Sequence, residues 1–144
     1  MKKIIVLLIV SIILVSGCSK KENITEIDMK EVGNIIEKKL NNMETVSDNE
    51  ITKIYGLDTT NIEEYIIKEN KDGDLYAIIK TKDVDEAKTA MDDYFKKVKE
   101  FHQSYSPKRL KILENRVERE IGNYLIYIVS EDAEDIYEDI VKAL

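Results

Sequence analysis

The chain is short of the residues from which most sites are built. Its 144 residues hold one cysteine, one proline, one histidine, no tryptophan and five glycines that stand singly. One cysteine excludes an intrachain disulfide and a thiolate cluster. One histidine is too few for a structural zinc, which wants several His or Cys at helical or hairpin spacing. Scattered glycines supply no phosphate-cradling loop, and no Gly-x-Ser-x-Gly occurs. Basic residues are outnumbered 22 to 29 and the formal charge is −7, which argues against nucleic acid as a partner. Nor is there a long apolar run. Ile4–Val15, interrupted by Ser11, is about 12 residues, where a spanning helix needs about 20.

What is present begins with that run. Met1-Lys2-Lys3 precedes it and Leu14-Val15-Ser16-Gly17-Cys18 closes it, the layout of a secretory signal that ends in a thiol instead of a small-x-small cleavage site. This segment resembles the bacterial lipobox. The resemblance implies that Cys18 is diacylglycerylated, becomes the first residue of the mature protein, and is acylated again on its new amino group. The expected address is the extracytoplasmic face of the cell membrane. Residues 1–17 are then the signal and 18–27 a polar lipidated tether. Residues 28–144 form a single domain, and the mature charge is −9 because the signal carries two lysines and no acids.

The domain is read from its punctuation. Asp28 and Glu31 have capping-box spacing, with Ile27 and Val32 as a staple, and the stripe Val32, Ile35, Ile36, Leu40, Met43 predicts a helix over 29–43. A short helix follows over 47–56, with Gly56 after its end. Strands at 65–69 and 75–82 flank Asp72-Gly73, a hairpin-turn pair. Asp83 and Glu86 open the longest helix, whose stripe is Val84, Ala87, Met91, Tyr94, Val98, Phe101 and Tyr105. Pro107 resets the chain direction and suits the first position of a short turn to Leu113. A second hairpin, 115–121 and 124–129, turns at Gly122-Asn123. Ser130 is the expected cap of a last helix buried through Ala133, Ile136, Tyr137, Ile140 and Leu144.

The order helix, short helix, hairpin, long helix, hairpin, helix predicts an α+β fold. Its expected form is a four-stranded, mostly antiparallel sheet with helices on one face and the other face open.

Few residues are candidates for chemistry. His102 beside Phe101 is read as a half-buried packing residue. Asn70–Asp74 lacks the Glu that closes a calcium loop and is read as a turn. Lys108, Arg109 and Lys111, with Arg116 and Arg119, make the local basic cluster, which suits an anionic group such as a wall polymer. Strand tyrosines Tyr76, Tyr124 and Tyr127 are candidates for the open face, where Tyr supplies rigid amphipathic contact area. Tyr94, Tyr105 and Tyr137 fit helix stripes and are read as core. No catalytic, cofactor or metal-ligating set emerges.

Tyr55-Gly56-Leu57-Asp58, Glu64-Tyr65-Ile66-Ile67, Ile78-Ile79-Lys80, the Tyr105-Ser106-Pro107 break and Gly122-Asn123-Tyr124 with Ile128-Val129-Ser130 are together similar to one group. It is the domain-of-unknown-function family four-three-five-eight, small lipoproteins of low-GC Gram-positive bacteria, here over residues 28–144. The resemblance implies no activity and no catalytic residues. The expected function is therefore a non-enzymatic, lipid-anchored protein-interaction module docking another envelope protein. The alternative is a solute- or wall-polymer-binding accessory of a transport system.

Overall fold

Two hairpins and the helix between them set the architecture. In the computed structural model, which describes residues 26–144, the elements are α1 (Met29–Glu37), β1 (Glu44–Thr45), α2 (Asp48–Lys53), β2 (Ile62–Glu69) and β3 (Leu75–Thr81). They continue with α3 (Val84–Tyr105), α4 (Pro107–Glu114), β4 (Val117–Ile121), β5 (Tyr124–Val129) and α5 (Ala133–Ala143). The signal, Cys18 and the tether up to residue 25 lie outside the described residues.

The sheet has five strands in the order β1-β2-β3-β5-β4, every neighbouring pair antiparallel. The four-stranded expectation is thus one strand short. Glu44 and Thr45 pair with Glu69 and Lys68, and a two-residue strand carries no period that a sequence pattern could reveal. Both hairpin turns use positive φ at glycine, +84° at Gly73 and +60° at Gly122, a region an L side chain enters at a cost.

The helices lie on both faces of the sheet, which corrects the open-face expectation. Under α2, α3 and α4, the side chains of Ile67, Leu75, Ala77, Ile79, Leu125, Tyr127 and Val129 meet Ile51, Tyr55, Met91, Phe95 and Leu113. Under α1 and α5, Tyr76, Ile78, Tyr124, Ile126 and Ile128 meet Val32, Ile36, Ile136 and Ile140. The cause is visible in β3 and β5. Both are apolar along almost their whole length, and a strand without alternation has no polar side to turn to water.

Caps set the helix ends. The Asp28 carboxylate accepts from the backbone N–H of Lys30 and Glu31, and Asp83 does so from Glu86. Pro107 is the first residue of α4, where its missing N–H costs nothing. α1 stops at Glu37, earlier than the 29–43 stripe predicts. Leu40 is still buried, but Asn42 takes the left-handed conformation (φ 56°) on the way into β1. α5 is capped at Asp132, not Ser130, whose hydroxyl accepts from the Asp132 N–H instead.

The sheet has two distinct ends. Thr81, Tyr124 and the described N-terminus stand at one, where Glu26 lies 3.5 Å from Lys80. Glu69, Leu75 and Val129 stand at the other. α3 starts beside Thr81 and its 22 residues run about 33 Å, farther than the seven residues of β3 reach. Its last turns therefore project past the Leu75 end, and Phe101 and Tyr105 stand exposed there. Tyr105 is not the core residue its stripe implies. Among the described residues no helix is long and apolar enough to cross a membrane.

Candidate functional site

A cavity of about 140 Å³ opens where α3 overruns the sheet. Leu75, Phe95, Val98, Leu113 and Val129 give it apolar walls, and Glu69, Asp74, His102 and Arg109 bring polar groups to it. Six segments converge here: the end of β2, the Asn70–Asp74 turn, the start of β3, the second half of α3, both ends of α4 and the end of β5.

Arg109 is the hinge of the arrangement. Its guanidinium lies against the turn, so close that a Cβ on Gly73 would come within 2.0 Å of it. Its partner is Asp74 at 4.0 Å, a long ion pair, and among the described residues its side chain makes no hydrogen bond. Asp74 is fixed by the turn, since Asn70 donates to its carboxylate (3.1 Å) and the Asp74 N–H returns a bond to Asn70 Oδ1 (2.9 Å). Asp74 and Arg109 also line a wider cleft of about 420 Å³ on the other side, crossed by the Lys108–Glu131 ion pair at 2.8 Å.

Tyr94 and Phe95 line the cavity, and Tyr55 and Tyr127 pack against them from behind. Tyr55 and Tyr94 stack at 4.3 Å, Phe95 meets the edge of Tyr94, and Tyr127 follows at 5.5 Å. Tyr55 donates to the Glu69 carboxylate at 3.2 Å. Burial drives the phenol of Tyr55 far above its ordinary range, with Tyr94 and Glu69 adding to it. Burial, then the charges of Glu118 and Asp92, does the same to Tyr127. His102 is half-buried, as its sequence context predicts, but its Nδ1 is fully enclosed and among the described residues has no hydrogen-bond partner. An enclosed, unpaired ring nitrogen costs about 1–3 kcal/mol, so the site carries unused hydrogen-bonding capacity.

The other candidate residues are not brought together. Tyr76, Tyr124 and Tyr127 are 0%, 2% and 2% exposed and cannot form a docking face; α1 and α5 cover the first two, and α3 the third. Tyr76 donates to Glu37, which Lys68 also bonds. The basic cluster is dispersed and largely neutralised. Lys108 pairs with Glu131, Arg116 pairs with Glu118 and lies over Phe95 at 4.4 Å, and Arg119 reaches Glu134 and lies over the Tyr137 ring at 4.8 Å. Lys111 is exposed and has no ion-pair partner among the described residues. No group of three or more His, Cys, Asp or Glu is gathered to hold a metal ion among the described residues. Val98 belongs to the helix stripe and Glu69 and Asp74 flank the Asp-Gly turn, but no sequence signal marks the three as parts of one cavity.

Compared with known proteins, residues 37–130 match the family model described as Domain of unknown function (DUF4358). No curated protein and no solved structure matches the chain.

Proposed function

We propose that this chain, which belongs to the DUF4358 family of domains of unknown function, is a lipid-anchored extracytoplasmic protein that docks another envelope protein without catalysing a reaction. The observation that carries the address is the short apolar run ending in Leu14-Val15-Ser16-Gly17-Cys18. Cys18 is the anchor, and residues 18–25 connect it to the Thr81 end of the sheet. Eight residues span at most about 28 Å.

With both sheet faces covered, docking moves to the far end. Phe101 (61% exposed) and Tyr105 (76%) lie side by side with centroids 5.1 Å apart and planes tilted by 34°. Paired exposed aromatics of this kind act as anchors in protein recognition, where large rigid side chains bring area at small entropic cost. Their position opposite the chain's entry favours a partner that meets the domain from the side away from the bilayer.

Fractionation tests the anchor. Cys18→Ala moves the protein from washed membranes to the soluble fraction, and continued pelleting of the processed variant overturns the reading. A photo-crosslinking residue tests the docking surface. At position 101 or 105 it yields one discrete adduct in cells, and at Val141, also exposed on α5 (54%), it yields none. Equal labelling at all three positions overturns the docking surface and leaves the anchor standing.

A further inference from the structure

The cavity between α3 and the Asn70–Asp74 turn has features that a docking surface does not need. It is small, part apolar and part charged, and it holds charges of both signs. We propose that it binds a small zwitterion of the α-amino-acid class with an apolar side chain about the size of valine.

Size comes first. A cavity of about 140 Å³ is close to one that accepts a benzene-sized guest of about 150 Å³, so a ligand of about six to eight heavy atoms fits. It is well below the 300–1,000 Å³ typical of sites for larger ligands.

Charge comes second. Arg109 offers a planar fork of donors; the acid paired with it, Asp74, stands at 4.0 Å, and Glu131, already bonded to Lys108, lies near enough to feel its charge. A carboxylate can therefore take two parallel bonds from the guanidinium with little competition. Glu69 and Asp74 lie on the opposite side of the ledger as two acids that one guanidinium leaves in excess, and an ammonium balances them. An anion alone would face the two acids, and a cation alone would face Arg109. Only a ligand carrying both charges satisfies the lining, and a peptide terminus carries just one.

The apolar requirement comes third. Leu75, Val98 and Leu113 line the same cavity and reward a branched aliphatic side chain through burial, at about 25 cal/mol per Å². Gly73 makes the architecture possible, because a side chain there would displace the guanidinium that reads the carboxylate.

The inference is independent of the docking surface and of the anchor. It is tested on the full lipidated protein in detergent by calorimetry with four probes. These are valine, isobutylamine (which lacks the carboxylate), 3-methylbutanoic acid (which lacks the ammonium) and glycine (which lacks the side chain). Valine binds, and each other probe binds at least tenfold more weakly. Arg109→Gln weakens valine at least tenfold with an unchanged circular dichroism spectrum. Val98→Phe, which fills the apolar part and keeps every charge, does the same, so the outcome does not depend on the folding of one variant. Absence of valine binding overturns the inference, as does equal binding of the amine or acid, or full valine affinity in the folded Val98→Phe protein.

Discussion

Gly73 joins two demands at one Cα. Its φ of +84° is the left-handed turn conformation, and the Arg109 guanidinium occupies the space a side chain would need. Gly122 meets only the first demand, with nothing within 4 Å of an added Cβ. Gly73→Ala and Gly122→Ala are each expected to cost about 1–2 kcal/mol in urea unfolding, because the Arg109 guanidinium is the free end of a flexible side chain and can move aside. A much larger loss at Gly73 would show that Arg109 does not yield. The sequence marks Gly73 as a turn through Asp72-Gly73, and Arg109 as part of a basic cluster. Their meeting was not legible, because no local pattern links residues so far apart in the chain. Glu37 provides a second test at this scale. Burial alone would raise its carboxyl, but the hydrogen bonds from Lys68 and Tyr76 hold it below its ordinary 4.5. A lowered folded-state value means that this contribution is complete above the unfolded value and is lost as pH falls through the folded one. Unfolding titrations of Glu37→Gln are expected to show a shallower stability loss between about pH 5 and pH 3. An unchanged slope assigns the acid sensitivity to other carboxylates.

At the scale of elements, α3 separates what a stripe can say from what it cannot. Steps of three and four locate the helix and its buried face, and Ala87 and Met91 lie on that face as read. Phe95 belongs to it as well, packed against Tyr94 and Tyr127, although the stripe runs through Tyr94. Beyond Val98 the pattern continues while the sheet stops, so Phe101 and Tyr105 keep core spacing without a core. Where an element ends relative to its neighbour is a tertiary fact that periodicity does not encode. Phe95→Ala is expected to cost about 3–5 kcal/mol, and Tyr105→Ala within about 0.5 kcal/mol, by chemical denaturation. Similar losses at the two positions contradict the overrun. The one-face expectation failed for a different reason, and there the signal was present. Leu75–Ile79 and Tyr124–Val129 hold no polar residue, and a strand that lacks alternation is buried on both sides.

For the whole molecule, the central strands β3 and β5 are shared property. Ile78 packs toward α1 and α5, while its neighbour Ile79 packs toward α2, α3 and α4, and both are 0% exposed. Adjacent residues on one strand thus serve two cores through a single backbone. Neither helical layer can loosen without uncovering a strand that the other layer also needs. Such coupling makes the domain one cooperative unit, although its apolar clusters are two. Ile78→Ala and Ile79→Ala are each expected to cost about 2–5 kcal/mol. In both variants, far-ultraviolet circular dichroism and tyrosine fluorescence should trace one coincident unfolding transition, since buried tyrosines report from each side of the sheet, Tyr76 from one and Tyr127 from the other. A biphasic curve in Ile78→Ala, with the α1 and α5 layer melting first, would show that the layers are separable. It would also return one sheet face to the list of surfaces on which a partner could dock.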